Sequence, residues 1–232
     1  MPGYKCILFD CMETVVDVLE KPDMRLYAYW AYAGCGYESF WGSFDAFLDS
    51  YIKVKAELEK CLNAFEEFDL FKRFGHMVKQ LTDDSSIIEN VTKAVSKNYW
   101  RNYKSNCIVF NNVKSCLAEL HEGYKLGIVS NFAVEDGIEE LLEINGIGKY
   151  FDFVVTSIKT GWKKPHFKIY DTALELAKVT KEEILFVGDD YVCDYEGPKK
   201  YGFDAVLLDK DCNHGNVEKR IVTIDKLTGY LI

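Results

Sequence analysis

The sequence lacks closely paired cysteines, a long apolar run and a leader-like start. Its eight cysteines form no CxxC pair, so the pattern does not indicate a disulfide framework and favours reduced thiols in a cytosolic or nuclear compartment. No apolar run approaches the roughly 20 residues that are needed to span a bilayer. The first residues, MPGYK, do not begin a secretory signal. We therefore expect a cytoplasmic protein that has no membrane partner.

Positive charge is also scarce. The chain has 28 Lys and Arg against 37 Asp and Glu, which gives a formal net charge of -9. No nucleic-acid partner is expected, because proteins of that class usually carry a basic patch. The negative net charge does not exclude a small anionic substrate, since a bound divalent cation can reverse the charge of a site. The 48% of hydrophobic residues suits one large domain, or a core with a small accessory domain, and the pattern indicates no oligomeric state.

The chain does contain short apolar runs, bounded by polar residues as in buried parallel strands. The predicted strands cover residues 4–9, 125–129, 151–156, 184–187 and 205–208. Helical patterns lie between the later runs, and this alternation predicts βαβ units in an α/β fold with a parallel sheet. The stretch from Leu19 to Lys97 has aromatic-rich helical stripes and no convincing strand. We interpret it as a small helical bundle inserted after the first strand.

Polar residues lie at or just beyond the ends of several predicted strands. They are Asp10, Ser130, Asn131, Asp189, Asp190 and, slightly further on, Asp194. In an open α/β sheet the carboxyl ends of the strands converge on one crevice, where ligands bind. A carboxylate such as Asp10 is a weak nucleophile, but it can form an acyl phosphate or an ester and so divide a hard hydrolysis into two easier steps.

The acidic residues of this set need a counter-charge if they meet. Two carboxylates about 4 Å apart repel by about 4 kcal/mol at an effective dielectric constant near 20, and protons or a cation must relieve this. Mg²⁺ suits oxygen ligands and typically takes one or two carboxylates with waters and phosphate oxygens. Asp10 and Asp189 are the first candidates, and Asp190 or Asp194 would be a further ligand. The alternative role for those two is to cap the next helix.

Three other polar residues have alternative roles. The Thr14 hydroxyl could bind a phosphoryl oxygen, brace the loop or make an ordinary turn hydrogen bond. Asn131 could cap the following helix or support its loop, and we prefer a structural role. Lys164 precedes Pro165 and is therefore restricted to an extended conformation. It competes with Lys163, since either ammonium could be a solvated surface charge.

Four segments, in this order, resemble the haloacid dehalogenase superfamily of aspartyl-nucleophile hydrolases. They are Asp10 with Thr14, Val129-Ser130-Asn131-Phe132, Gly161-Trp162-Lys163-Lys164-Pro165, and Val187-Gly188-Asp189-Asp190-Tyr191 with Asp194. Within the superfamily the chain is similar to the animal proteins called haloacid dehalogenase-like hydrolase domain-containing, in the subgroup related to the rhythmically expressed gene 2 product. The resemblance implies a Rossmann-like doubly wound parallel sheet core over residues 1–16 and 100–232, with an α-helical cap over residues 17–99.

The resemblance also implies a reaction and a set of roles. It implies a Mg²⁺-dependent phosphohydrolase that acts on a small phosphorylated molecule through an aspartyl-phosphate intermediate. The implied catalytic residues are Asp10, Ser130 and Lys164, and the implied substrate contacts are Thr14 and Asn131. The implied metal ligands are Asp10, Asp189, Asp190, Asp194 and the backbone carbonyl of Met12.

Met12 breaks the family pattern. Family phosphatases carry there a second Asp, which protonates the leaving group and later activates water. General acid–base assistance is worth about 10²–10⁴-fold, so we expect slow turnover that favours acyl or aryl phosphates over alkyl phosphates. The adjacent Glu13 is an alternative acid, although its position one residue further along should point the carboxylate elsewhere.

Two alternative functions follow from Met12. The first is a binding or regulatory protein that has the fold but little turnover. The second is a metal-independent 2-haloacid dehalogenase, since family dehalogenases also lack an acidic residue at this position. They do not have the Gly-Asp-Asp arrangement of residues 188–190, however, and we therefore rank this alternative last.

Overall fold

The structure, a computed structural model, describes residues 3–231. The strands are β1 Cys6–Phe9, β2 Asp17–Val18, β3 Cys107–Ile108, β4 Lys125–Ser130, β5 Phe153–Thr156, β6 Ile184–Gly188, β7 Asp204–Leu208 and β8 Arg220–Ile221. The helices are α1 Met24–Tyr32, α2 Phe44–Cys61, α3 Leu70–Lys79, α4 Ser85–Ser105, α5 Asn111–His121, α6 Gly137–Ile144, α7 Ser157–Thr160, α8 Phe167–Ala177, α9 Gly197–Tyr201 and α10 Lys226–Leu231.

Six strands form a parallel sheet in the order β5-β4-β1-β6-β7-β8. The residues of β1 and β6 are all buried, as expected for central strands that helices cover on both faces. All five predicted strands are present, with ends that differ by at most two residues. The predicted α/β class with a mostly parallel sheet is therefore confirmed.

The register of the sheet brings polar strand ends to one level. Phe9, the last residue of β1, pairs with Ile128 of β4 on one side and with Val187 of β6 on the other. Asp10 follows directly, and its backbone N–H donates to the Val187 carbonyl at 2.9 Å. Ser130 ends β4 two residues beyond Ile128. The central strands thus deliver their terminal side chains to a common edge of the sheet.

The chain divides into two compact units, which are described separately. The sheet unit has the described residues 3–18, Phe65–Glu67 and 108–231, and the helical unit has Leu19–Ala64 and Phe68–Cys107. Helix α4 continues through residue 100 to Ser105, beyond the boundary expected from the sequence. Three residues of the expected insert, Phe65–Glu67, group with the sheet.

The helical unit consists of α1 to α4, and each helix begins at a side chain that accepts a backbone N–H. These residues are Asp23, Ser43, Asp69 and Asp84. The end of α1 is satisfied differently, by the buried Asn98 of α4. Its Nδ2 donates to the carbonyls of Trp30 at 2.9 Å and Ala33 at 2.8 Å. This pairing satisfies carbonyl groups that a helix C-terminus leaves open.

The structure also bears on the state of the cysteines and on the length and polarity of the helices. All eight cysteines lie within the described residues and none forms a disulfide. Across residues 3–231, every helix is too short or too polar to cross a bilayer.

Gly127 marks the closest packing in the centre of the sheet. An added Cβ at this position of β4 would lie 2.5 Å from the Phe153 ring and 3.0 Å from Leu8 Cδ2. Both contacts are with side chains of adjacent strands, so a methyl group here would force the Phe153 ring to shift. Only a glycine fits between them.

We expect Gly127→Ala to lower the free energy of unfolding by about 1–3 kcal/mol, the usual cost of overpacking a core. Gly123→Ala is the matched control, because a Cβ there has open space around it. Urea unfolding followed by circular dichroism would measure both variants. Equal stability of the two would contradict the packing argument.

Candidate active site

The site is built around a buried ion triplet in the sheet unit. The Lys164 ammonium lies 2.6 Å from Asp10 Oδ1 and 2.7 Å from Asp194 Oδ1. All three side chains are at least nine-tenths buried. Burial alone would lower the pKa of Lys164, but Asp10 and Asp194 outweigh it and hold this pKa above its ordinary value. The ammonium is therefore permanently charged and keeps a positive charge beside Asp10. Lys164, rather than its neighbour Lys163, thus contacts Asp10.

Asn131 fixes the backbone that carries Lys164. Its side-chain Oδ1 accepts the Lys164 N–H at 2.6 Å, and its Nδ2 donates to the Lys164 carbonyl at 3.1 Å. Both polar atoms of the amide are therefore engaged with one residue of an irregular segment. These two hydrogen bonds are of the kind expected for the supporting role that we preferred on sequence grounds. A contact of Asn131 with substrate, which the resemblance implies, would have to compete with them.

Asp189 and Asp194 bring further negative charge to the same place. Carboxylate oxygens of Asp10, Asp189 and Asp194 all lie within 4.8 Å of one another. Burial and the nearby Asp10 raise the pKa of Asp189 to about 6. Burial also raises the pKa of Asp194, while Lys164 opposes that shift and Asp10 adds to it. Three carboxylates with one ammonium leave an excess of two negative charges when all are ionised.

This donor set fits a hard divalent cation. Each of the three aspartates offers one oxygen, and Mg²⁺ prefers carboxylate oxygens with waters or phosphate oxygens in the remaining positions. Burial raises the pKa values of Asp189 and Asp194, and the nearby Asp10 adds to both shifts. A bound dication would stabilise the ionised form of both carboxyl groups. Asp10, Asp189 and Asp194 are thus the residues that could hold the ion.

Gly188 allows Asp194 to reach this cluster. An added Cβ on Gly188 would lie 2.5 Å from Asp194 Cγ, so any other residue would displace the carboxylate. Asp194 itself lies in a π-helical turn, Tyr191–Glu196. Its Oδ2 accepts the Asp190 N–H at 3.0 Å, which leaves Oδ1 for Lys164.

Asp190 is not brought into the acidic cluster. Its Oδ1 accepts the N–H groups of Val192 at 2.9 Å and Cys193 at 2.7 Å, and it caps the turn that presents Asp194. This is the capping alternative considered from the sequence. Asp190 and Asp194 were interchangeable on sequence grounds, and the structure separates them into a cap and a member of the cluster.

The remaining candidates surround the loop after β1. Thr14 is 1% exposed, and its hydroxyl lies 3.4 Å from Asp189 Oδ1, so it faces the acidic cluster. Glu13 has a φ of 60°, and its Oε1 accepts the Val18 N–H at 3.2 Å. Met12 makes a single β-bridge with Val16. Ser130 is buried at the end of β4, on the strand adjacent to β1.

Two residues that were not among the candidates from the sequence support the backbone beside Asp10 and Asp194. The Cys193 thiol donates to the Lys164 carbonyl at 3.4 Å, and the Tyr170 hydroxyl donates to the Cys193 carbonyl at 2.6 Å. Burial, followed by Asp190 and Asp194, raises the pKa of Cys193 to about 12, so its thiol stays protonated and acts as a donor. Cys193 directly precedes Asp194 in a segment that carries the family resemblance, whereas Tyr170 belongs to no motif. The π-helical turn brings Cys193 to the site and α8 brings Tyr170.

Comparison with known proteins defines the family. A family profile described as haloacid dehalogenase-like hydrolase matches residues 44–208, which is more than half of the chain. The chain therefore belongs to the haloacid dehalogenase-like hydrolase family, and the resemblance inferred from the sequence motifs is confirmed.

The chain is similar in sequence to two kinds of named protein. The chain is 32% identical over 117 residues to haloacid dehalogenase-like hydrolase domain-containing protein 3 of Homo sapiens, covering 49% of this chain and 46% of that protein. It is 32% identical over 126 residues to the glyceraldehyde 3-phosphate phosphatase of Methanothermobacter thermautotrophicus, covering 51% of this chain and 55% of that one. The matched segments thus span about half the length of these relatives.

The fold is shared over almost the whole chain with a solved structure. The crystal structure of 2-haloacid dehalogenase from Pseudomonas syringae pv. Tomato DC3000 superposes with a TM-score of 0.82 and covers 98% of both chains. The sequence identity is 18%, so this likeness concerns the fold alone.

We expect Lys164→Met to destabilise the metal-free protein by about 3–5 kcal/mol at neutral pH, because two buried carboxylates lose their counter-charge. The difference from the wild type should shrink as the pH falls, since protonated carboxyl groups need no cation. Urea unfolding in EDTA would measure it. Lys163→Met is the matched control and should change stability by less than about 0.5 kcal/mol. Comparable losses in the two variants would contradict the ion-triplet argument.

Proposed function

We propose that this protein is a Mg²⁺-dependent phosphohydrolase that acts on a small phosphorylated molecule with Asp10 as the nucleophile. The observation that carries this proposal is the buried contact of Asp10 with Lys164, at the edge of an acidic cluster that fits a dication. The named activity of the glyceraldehyde 3-phosphate phosphatase relative supports the same reaction class. A site built only to bind an anion would not need three converging carboxylates.

The chemistry requires an ionised Asp10 and a neutralised phosphoryl group. The Lys164 ammonium, 2.6 Å from Asp10 Oδ1, places a positive charge beside the attacking carboxylate. A carboxylate oxygen of Asp10 attacks phosphorus, and the bond from phosphorus to the leaving-group oxygen breaks. The leaving group departs as an anion and takes its proton from solvent water. Water then attacks the phosphorus of the aspartyl phosphate, and cleavage of the phosphorus–Asp10 bond releases phosphate and regenerates the carboxylate.

The metal and the remaining side chains have distinct roles in this proposal. Asp10, Asp189 and Asp194, with the backbone carbonyl of Met12, would hold Mg²⁺, which supplies positive charge to the transferring phosphoryl oxygens. Ser130 donates its hydroxyl to the transferring group. Thr14 orients Asp189. The helical unit corresponds to the insert for which the family resemblance implies a cap.

Met12 limits the range of leaving groups. A thioether cannot donate a proton, so an alkoxide must leave without assistance, whereas an acyl or aryl phosphate releases a weaker base. The Glu13 carboxylate is engaged with the Val18 N–H, which supports a structural role for it. We therefore propose low activity that is directed towards good leaving groups.

The alternatives differ from this proposal in measurable ways. A 2-haloacid dehalogenase would release halide from 2-chloropropionate in the presence of a chelator. A binding or regulatory protein would bind a ligand with Mg²⁺ and never turn it over. The charge excess of the acidic cluster favours the metal-dependent reaction over the metal-independent one.

We expect the purified protein to hydrolyse p-nitrophenyl phosphate and acetyl phosphate with Mg²⁺ and not with EDTA. Asp10→Asn should reduce the rate to the assay background, because an amide cannot form the aspartyl phosphate. Asp211→Asn, which alters an exposed aspartate, is the control and should leave the rate unchanged. Turnover that persists in Asp10→Asn would exclude Asp10 as the nucleophile, and turnover that persists in EDTA would exclude the metal.

We expect Met12→Asp to raise kcat/KM for alkyl phosphates by at least about 10-fold, since general acid–base assistance contributes about 10²–10⁴-fold. The gain for p-nitrophenyl phosphate should be smaller. Met12→Asn is the matched control, because an asparagine has nearly the same size as the aspartate of Met12→Asp and is also polar, but has no titratable proton. A similar gain in Met12→Asn, or no gain in Met12→Asp, would contradict the missing-acid explanation.

A further inference from the structure

A short segment that lies between helices α2 and α3 in the sequence packs in the sheet unit. This segment, Phe65–Glu67, is called the strap. Glu66 forms an antiparallel bridge with Trp162. The Glu67 N–H donates to the Gly161 carbonyl at 3.0 Å, and the Lys163 N–H donates to the Phe65 carbonyl at 2.7 Å. The strap thereby pairs with the residues that directly precede Lys164.

The strap begins in an unusual backbone conformation. Phe65 has a φ of 67°, in the left-handed region that bulky residues seldom adopt. Its carbonyl accepts the Lys163 N–H, so this conformation is used to make the pairing. Strained residues of this kind persist where the surrounding contacts determine them, and they cluster at functional sites.

The strap also reaches the loop that follows β4. The Ser157 hydroxyl donates to Glu67 Oε2 at 2.5 Å, and its oxygen accepts the Phe132 N–H at 2.8 Å. Ser157 is fully buried. The other acceptor near this hydroxyl, the Phe132 carbonyl, lies 3.4 Å away. The carboxylate of Glu67 is therefore the acceptor that orients Ser157, in the charge-assisted geometry that is the stronger kind.

Glu67 contacts two different loops, one through its side chain and the other through its backbone. Phe132 lies two residues after Ser130, and the intervening Asn131 binds the backbone of Lys164 through its side chain. Glu67 thus holds the loop after β4 through Ser157, and it holds the segment before Lys164 through its own backbone. A carboxylate outside the sequence motifs thereby connects the two loops that carry Ser130 and Lys164.

We propose that Glu67 is a positioning residue of the active site, acting through Ser157 on the loop that presents Ser130 and Asn131. It does not touch the reacting atoms. This inference rests on the proposed function for its catalytic consequence, because the positioned groups act in phosphoryl transfer. Its structural consequence, an ordered Phe132 N–H, is independent of that function.

The first measurement is steady-state hydrolysis of p-nitrophenyl phosphate with Mg²⁺ by the full chain. Glu67→Ala and Ser157→Ala should each lower kcat by about 10- to 100-fold, since small displacements of positioning groups have effects of this size. Glu67→Gln should stay within about 3-fold of the wild type, because its amide oxygen still accepts the Ser157 hydroxyl. The Mg²⁺ concentration for half-maximal activity should not change, because Asp10, Asp189 and Asp194, rather than Glu67, are the residues that would hold the ion.

A double variant separates positioning from general destabilisation. Because Glu67 and Ser157 act in series, Glu67→Ala/Ser157→Ala should lose no more kcat than either single variant, whereas independent effects would multiply. Glu183→Gln is the control, since Glu183 binds Lys5 and the Thr180 N–H at the amino end of β6. It should leave kcat unchanged.

Amide hydrogen exchange gives a readout that needs no turnover. Exchange of the Phe132 N–H should accelerate at least about 10-fold in Glu67→Ala and in Ser157→Ala, but not in Glu67→Gln or Glu183→Gln. Thermal unfolding of every variant identifies any that fail to fold. If Glu67→Ala does not fold, the proposal is tested by the two single variants Glu67→Gln and Ser157→Ala, of which only Ser157→Ala should accelerate Phe132 exchange and lower kcat.

The outcomes are distinct. Unchanged Phe132 exchange in Glu67→Ala overturns the proposal, and so does faster exchange with unchanged kcat. Multiplicative losses in the double variant also overturn it. A wild-type protein without turnover defeats the proposed function alone, and the exchange data then show whether Glu67 orders the loop.

Discussion

A single buried ammonium, placed between two carboxylates, is the interaction on which the rest of the site depends. Lys164 satisfies Asp10 and Asp194 at 2.6 and 2.7 Å, where water is almost excluded. A buried charge is costly unless it is paired, so the fold has to deliver all three side chains to one point. A displacement of any of them would leave an uncompensated charge in the core. The surrounding structure can therefore be understood as the means of keeping this triplet together.

Each member of the triplet is fixed by a different device. Asp10 is fixed by the sheet, because its N–H continues the ladder of β6. Lys164 lies on irregular backbone, whose polar groups must find partners of their own, and Asn131 supplies them. Asp194 sits on a π-helical turn that Asp190 caps. Regular structure thus places Asp10, whereas side-chain hydrogen bonds place Lys164 and Asp194.

This division also explains what the sequence could predict. The central strands are uninterrupted apolar runs because both faces of the sheet are covered, and their polar ends were therefore recognisable. Strand order was not, since neighbours such as β1 and β4 are more than 100 residues apart. Asp190 and Asp194 have the same chemistry and neighbouring positions, and only the backbone of the π-helical turn separates their roles. Glu67 was missed because a three-residue strap has no periodicity.

Met12 alters one component of the site and leaves its electrostatic frame intact. The counter-charge beside Asp10 comes from Lys164. The approach of Asp194 to the acidic cluster depends on Gly188 and the π-helical turn, and neither feature involves the side chain at position 12. Proton transfer to the leaving group is the separate step that Met12 cannot perform. In the proposed reaction, nucleophilic attack and leaving-group protonation therefore depend on different residues. Such a site can support the attack by Asp10 without protonating the leaving group, and the basicity of the leaving group then determines the proposed rate.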